Sequence, residues 1–271
     1  MTLQTRTQDS ATTASGLIIV EKHGAVTVLK LNYPEKRNAL SMPLREQLSQ
    51  ALQDAIADSQ CRAIVLTGEG NHFSSGGDIS GFAGVNSING RTRMKKTHDL
   101  IVKLMVACEK PIIAAVEGHA AGAGMCVAAN CDIVVASREA KFTCSFNKIG
   151  LLPDLGGLWS IPQRIGMGRA KLLMMTGRMI SAQTAMEYGL VEEVCEPGQA
   201  LETAIALGQE IAQTAPLTNG FVKAAMARGP MKFNELLDLE TDMQGLLFGT
   251  EDFQEGRTAF LEKRKPVFQG R

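Results

Sequence analysis

Short continuous apolar runs alternate along this chain with segments whose apolar residues recur at helical spacing. Ala63–Thr67, Pro111–Val116 and Asp132–Ala136 are runs of the first kind, each bounded by polar residues, cysteine or glycine. Such runs are typical of strands that are buried on both faces of a parallel sheet. We therefore predict three buried strands in the first half of the chain.

Three further segments have distinct patterns. Leu17–Val20 and Ala25–Leu31 flank a short polar turn and predict a β-hairpin. Pro43–Asp58 has an apolar residue at every fourth position and predicts an amphipathic helix with one buried stripe. Arg91–Cys108 is basic and also has the character of a helix.

The alternation of apolar runs and helical segments ends after about residue 197. Buried runs that alternate with helices indicate an α/β core with parallel strand pairing. Beyond this point four helices follow without strands: Gln199–Thr214, Leu217–Arg228, Phe233–Phe248 and Glu251–Arg264. We expect residues 1–16 to form a flexible tail, residues 17–197 the α/β core, and residues 198–271 a helical region with more apolar positions than it can bury alone.

Composition narrows the classes of function. The 28 basic and 28 acidic residues balance, so charge gives no reason to expect nucleic acid or an anionic membrane as a partner. No apolar run reaches the roughly 20 residues of a membrane span, and the opening residues lack the apolar centre of a secretory signal. The six cysteines lie mostly in apolar runs without histidines at zinc-ligand spacing, so we expect a cytoplasmic protein without disulfides or a metal site.

Two glycine-rich turns and one aspartate carry the candidate chemistry. Phe73–Asp78 and Gly118–Gly124 each follow a predicted strand and precede a predicted helix, so their backbone N–H groups can face a ligand. Together they would form an oxyanion hole, which is a pair of amides that stabilises negative charge on an oxygen. Asp154 is the single carboxylate within Leu152–Gly157. One acid beside such amides suits the transfer of a proton on an activated carbonyl compound.

Structural explanations remain open for each of these features. The glycines would also permit tight turns and close packing without binding anything. Pro153 and Asp154 precede two glycines closely, which is good turn chemistry in its own right. Asp78 suits the N-cap of the helix after the first turn. The spacing of both turns differs from that of phosphate and dinucleotide loops.

Motifs over about residues 17–268 resemble the crotonase superfamily, also called the enoyl-CoA hydratase/isomerase family. The motifs, in their order, are Asn32–Leu40, Phe73–Ile79, Lys110–Gly118, Cys131–Ala136, Ala140–Phe142, Gly150–Asp154, Ser181–Ala185 and Gly189–Val191. The resemblance implies a spiral of ββα units, a C-terminal helical trimerisation region and a coenzyme A (CoA) thioester as ligand, with no other cofactor. It also implies a homotrimer or a dimer of trimers.

The resemblance assigns roles to particular residues. It implies that the backbone N–H groups of Ser75 and Ala123 hold the thioester oxygen. The two glutamates of typical hydratases fall on Cys126 and Phe146, so the two-acid route of hydration is missing. Implied contacts to the substrate are made by Arg37, Ala39, Gly76, Asp78, Ile79, Gly122, Phe146, Phe260 and Lys263, of which Lys263 reaches phosphate in a neighbouring subunit.

The loop around Asp154 most resembles that of single-aspartate isomerases of enoyl-CoA and of ring-epoxide CoA thioesters. We therefore predict that Asp154 moves a proton while the double bond shifts, in a surround formed by Phe146, Leu152 and Leu155 that raises its pKa. Hydratase-like activity, displacement on an aroyl-CoA with Asp154 as nucleophile, and acyl-CoA binding with weak catalysis remain as alternatives. His98 lies close to a histidine of the aroyl-CoA dehalogenases, although a surface position suits it better.

Overall fold

A computed structural model of the chain describes residues 12–14 and 16–271. The strands are β1 (Thr12–Ala14), β2 (Ile18–His23), β3 (Val26–Leu31), β4 (Ala63–Gly68), β5 (Ile112–Val116), β6 (His119–Ala121), β7 (Ile133–Ser137), β8 (Lys141–Thr143), β9 (Met179–Ser181) and β10 (Glu193–Cys195). The α-helices are α1 (Met42–Ala57), α2 (Ser87–Thr97), α3 (Lys103–Ala107), α4 (Ala123–Asn130), α5 (Gly157–Thr176), α6 (Ala182–Tyr188), α7 (Ala200–Ala212), α8 (Pro216–Ala227), α9 (Phe233–Phe248) and α10 (Glu251–Glu262).

The main sheet has the strand order β1-β2-β3-β4-β5-β7-β10. The predicted hairpin is confirmed, since β2 and β3 pair antiparallel from Ile18 opposite Leu31 to His23 opposite Val26. The strands from β3 to β10 pair in parallel. Within the segment expected to be a flexible tail, Thr12–Ala14 pairs with β2 as an edge strand, and most of the remaining segment lies outside the described residues.

The three predicted buried strands are confirmed, because helices cover both faces of the sheet. On one face, Leu29 and Leu31 pack in the large core that also contains the leucine stripe of α1. On the other face, Val65 and Ile113 pack with α7. Helix α1 begins one residue before the predicted start because Ser41 is its N-cap, where Oγ accepts the Leu44 N–H at 3.4 Å.

A second, three-stranded sheet has the order β6-β8-β9 and was missed by the sequence pattern. Its first strand, β6, lies inside the second glycine-rich turn. Ser74 of the first turn bridges to this strand, since the Ser74 N–H donates to the His119 carbonyl at 3.0 Å and the Ala121 N–H donates to the Ser74 carbonyl at 2.9 Å. These bonds hold the two turns side by side.

The four C-terminal helices are confirmed, although they differ in how they pack. Helix α7 lies against the main sheet, where a Cβ on Gly208 would come within 3.0 Å of Val26. Helix α9 has no buried residue, and Phe233, Leu246 and Phe248 on it are exposed. Within the described chain, no helix is both long enough and apolar enough to cross a membrane.

Candidate active site

Asp154 lies in the loop before α5, and α4 holds that loop in place. Leu155 is fully buried with φ of 48°, and Gly156 follows with φ of 78°. The Asn130 side chain donates from Nδ2 to the Leu155 carbonyl at 2.6 Å. A Cβ on Gly156 would lie 2.9 Å from Asn130 Oδ1, so this position requires both glycine's backbone freedom and its small size. The loop that carries Asp154 is therefore fixed by the core.

The environment of Asp154 is that of a partly desolvated acid. Burial raises the pKa of its carboxyl group above the ordinary value, while the positive charges of Arg45 and His98 oppose this rise. No Asp or Glu in the described part of the chain perturbs it. Oδ1 is buried without a hydrogen-bond partner among the described residues. A carboxylate oxygen of this kind is available to take a proton.

Of the three residues expected to form an apolar surround for Asp154, two are buried in the core and one is exposed. Phe146 and Leu155 are buried. Leu152, however, is 69 % exposed, so the expectation that it surrounds the acid was wrong. It lies in an irregular loop, where no periodic pattern indicates which side chain turns inward.

The two positions that the resemblance matches to hydratase glutamates hold no acid that can work at neutral pH. Contact with the Cys144 thiol and complete burial raise the pKa of the Cys126 thiol well above its ordinary value, so the thiol stays protonated. Phe146 is a buried hydrocarbon. Asp154 is therefore the candidate acid–base group at this end of the site.

The first glycine-rich turn differs from the expectation for Ser75. The Ser75 N–H donates to the Arg37 carbonyl at 2.8 Å, and the Gly76 N–H donates to Ser74 Oγ at 3.2 Å. The Gly77 N–H, by contrast, makes no hydrogen bond to the described residues. The first amide of the turn without a partner among the described residues is thus two residues beyond the expected one. Sequence reasoning missed this because the Arg37 carbonyl comes from a distant loop.

The orientation of the Gly77 amide is set by its own peptide group. The Leu40 N–H donates to the Gly76 carbonyl at 2.7 Å. Because the C=O and N–H of a trans peptide point in opposite directions, this bond directs the Gly77 N–H away from Leu40.

The second turn supplies the start of α4. Ala123 is its first residue, so the Ala123 N–H is one of the amides that a helix leaves unpaired. A Cβ on Gly76 would lie 3.3 Å from the Ala123 nitrogen, which shows how closely the turns approach. Gly122, with φ of 51°, allows the sharp entry into the helix.

The remaining residues predicted to contact a ligand fall into two places. Asp78 caps a 3-10 turn, where its Oδ1 accepts the Ser80 N–H at 3.1 Å, and hydrogen bonding to Ser80 lowers the pKa of the carboxyl group. Ile79, the next residue, and Arg37 are both exposed, whereas Ala39 is buried. Phe260 is 84 % exposed near the end of α10, and Lys263 is the exposed residue that ends this helix.

Arg45 is a residue of this site that sequence reasoning did not find. It lies on α1, where its spacing suggests only a polar position beside the leucine stripe, yet its side chain is 2 % exposed. Nε donates to the Leu40 carbonyl at 2.9 Å and Nη1 donates to Thr97 Oγ1 at 2.8 Å. No local pattern could reveal this, because Thr97 is 52 residues away.

In the described chain no group of Asp, Glu, His or Cys residues has the arrangement of a metal site.

Comparison with known proteins agrees with this architecture. Residues 21–271 match the model of the family described as enoyl-CoA hydratase/isomerase. The chain is 36 % identical over 250 residues to a short-chain-enoyl-CoA hydratase of Clostridium acetobutylicum, which covers 92 % of this chain and 95 % of that protein. It is 35 % identical over 257 residues to a 1,2-epoxyphenylacetyl-CoA isomerase of Escherichia coli, covering 93 % and 97 %.

A solved structure shares the whole fold. The crystal structure of a putative enoyl-CoA hydratase from Streptomyces coelicolor A3(2) superposes with a TM-score of 0.89 at 32 % identity, covering 99 % of this chain and 100 % of that one. The resemblance in the motifs and the crotonase fold class are thereby confirmed. The relatives include both hydratases and isomerases. The chain is therefore an enzyme of the enoyl-CoA hydratase/isomerase family.

Proposed function

We propose that this enzyme is an acyl-CoA isomerase that moves a double bond from the Δ3 to the Δ2 position of an enoyl-CoA or of a related ring-derived thioester. The observation that carries the proposal is the half-buried carboxylate of Asp154, whose Oδ1 atom is itself buried and has no hydrogen-bond partner in the described chain. The glutamate positions of two-acid hydratases hold Cys126 and Phe146 instead. An isomerase needs one group that takes and returns a proton, whereas hydration must also activate a water molecule.

In the proposed reaction, the amides of Gly77 and Ala123 bind the thioester oxygen. The Asp154 carboxylate removes a proton from C2, and the electron pair moves into a dienolate whose negative oxygen the two amides stabilise. The protonated Asp154 then returns the proton to C4, which leaves the double bond conjugated with the carbonyl. The raised pKa of Asp154 favours this exchange, because its proton affinity comes closer to that of the carbon acid.

The proposal also includes the CoA-binding surface. In the proposal, Arg37 and Ala39 contact the nucleotide end of CoA, and the rest of the substrate contacts Gly76, Asp78, Ile79, Gly122 and Phe146. Phe260 and Lys263 are exposed on α10, which fits contact with CoA held by a neighbouring subunit of a homotrimer or a dimer of trimers. Light scattering measures this assembly.

The test is to incubate the enzyme with 3-enoyl-CoA substrates of several chain lengths and to follow formation of the conjugated product. We expect Asp154→Asn to lower kcat by roughly 10²- to 10⁴-fold. Asp99→Asn removes a surface carboxylate that pairs with Lys103, and serves as the matched control with unchanged activity. The proposal is wrong if the wild type converts none of these substrates, or if Asp154→Asn is as active as the wild type. Efficient addition of water to crotonyl-CoA would instead favour a hydratase.

A further inference from the structure

Arg45 has a buried charge without a direct partner of opposite charge. Its side chain is 2 % exposed, and no ion pair joins it to a carboxylate within the described ranges. Removing a charge from water costs several kcal/mol unless a counter-charge and hydrogen bonds compensate it. An arginine stays protonated even when burial lowers the pKa of its guanidinium, as it does here. The negative charge that compensates the Arg45 guanidinium must therefore act on it through space, without a direct ion pair.

The guanidinium is fixed between the elements that form the site. Nε donates a hydrogen bond to the Leu40 carbonyl, and the Leu40 N–H donates to the carbonyl of the Gly76–Gly77 peptide. Nη1 is bonded to Thr97 at the end of α2. Nη2 has no protein acceptor in the described chain, and a Cβ built on Gly77 would lie 3.9 Å from it. The free end of the cation therefore points towards the turn that carries the open Gly77 amide.

The charged and titratable groups around Asp154 come from several elements. Arg45 on α1 exerts the largest opposing charge, and His98, when protonated, adds a second one from the turn after α2. The thiols of Cys126 and Cys144 also lie within the field of Asp154. Arg45 itself is influenced by Asp154 and by Arg93. Asp154 is thus the carboxylate whose charge acts on this buried cation.

We propose that Arg45 is a positioning residue of the acyl-CoA site, whose guanidinium is the fixed counter-charge for the negative charge that moves between Asp154 and the thioester oxygen. The inference rests on the proposed function. Before proton transfer the negative charge is on Asp154, and afterwards it is on the dienolate oxygen beside Gly77. One cation that lies beside the Gly77 turn and acts electrostatically on Asp154 stabilises the charge in both positions without itself moving.

The test separates charge from structure by titrating Asp154 directly. The ¹³C resonance of its carboxyl carbon, assigned by its absence in Asp154→Asn, is followed against pH in the wild type, Arg45→Lys, Arg45→Met and Arg45→Gln. We expect the titration of Asp154 to move to higher pH in Arg45→Met and Arg45→Gln, and to remain near that of the wild type in Arg45→Lys. Arg93→Met, which removes the neighbouring arginine that packs on Phe82, is the control and leaves the titration unchanged.

Kinetics supply a second readout. In Arg45→Gln, kcat/KM at the acid end of the pH profile falls roughly tenfold more than it does at the plateau. The proposal is overturned if neutral and charged substitutions reduce activity equally while the Asp154 titration stays in place, which would leave Arg45 a structural role only. Arg45→Gln keeps donors for Leu40, so it replaces Arg45→Met if that variant does not fold. The titration does not depend on turnover, and therefore tests Arg45 even if the isomerase proposal fails.

Discussion

The turn side and the acid side of the site use different parts of the polypeptide. On the turn side, formed by Phe73–Asp78 and Gly118–Gly124, the proposed functional groups are backbone amides. On the acid side, formed by the loop before α5 together with Arg45, they are proposed to be side-chain charges that are partly or fully withdrawn from solvent. We therefore expect the turn side to tolerate changes of side-chain chemistry but not of backbone shape. We expect the acid side to respond to charge and to pH.

A matched pair of substitutions in the first turn gives the largest expected contrast on the turn side. Gly76 has φ of 100°, and a Cβ on it would lie 2.7 Å from the Ala121 carbonyl oxygen. Gly76→Ala must therefore shift the peptide that carries the Gly77 N–H. We expect kcat/KM for isomerisation to fall by about 10²-fold or more, as when an oxyanion donor is lost.

The neighbouring substitution Ser75→Ala is the control. The Ser75 hydroxyl only donates to the Lys36 carbonyl at 3.0 Å, and the backbone of the turn does not depend on it. Activity within about twofold of the wild type is expected, since a single exposed hydrogen bond contributes little. Equal losses in both variants would show that the backbone amides are not the functional groups of this turn.

The pH dependence of catalysis tests the acid side of the site. Asp154 must be ionised to accept a proton, so kcat/KM falls as the pH drops through its pKa. Burial raises that pKa above the ordinary aspartate value of 3.8, and the acid limb of the profile should therefore lie above 3.8. A profile measured with a 3-enoyl-CoA substrate checks this. A limb at or below 3.8 would mean that Asp154 is solvated, contrary to the structure.

The smallest expected effect concerns stability. The pKa of Asp154 is higher in the folded state than in the unfolded state, so ionisation of its carboxyl group destabilises the fold. The protonated carboxyl group contributes its full share to the free energy of unfolding below the unfolded-state pKa, and this contribution is lost as the pH rises through the folded-state pKa. At neutral pH, Asp154→Asn should stabilise the fold by on the order of 1 kcal/mol or less, although it abolishes most activity. Denaturant unfolding at neutral and at acid pH measures this. The difference should vanish below pH 3.8, and a variant that is less stable at neutral pH contradicts the prediction.

Local sequence patterns determined the fold class and the approximate position of the principal elements. Continuous apolar runs indicated β4, β5 and β7 because strands covered by helices on both sides need apolar residues throughout. The two turns and Asp154 could be selected because glycines and an isolated carboxylate are visible in the sequence itself. The motifs in their order then indicated the family, which the comparisons confirmed.

Only the tertiary structure decided which groups are free and which are engaged. The Ser75 amide is used by the carbonyl of Arg37, and Arg45 is buried by contacts with Leu40 and with Thr97. The side chain of Leu152 faces outward although its sequence neighbours suggest a buried position. The Ser75–Arg37 and Arg45–Thr97 hydrogen bonds are set by packing between segments that lie more than 30 residues apart. Periodicity reports only local burial, so these pairings become visible once the chain is folded.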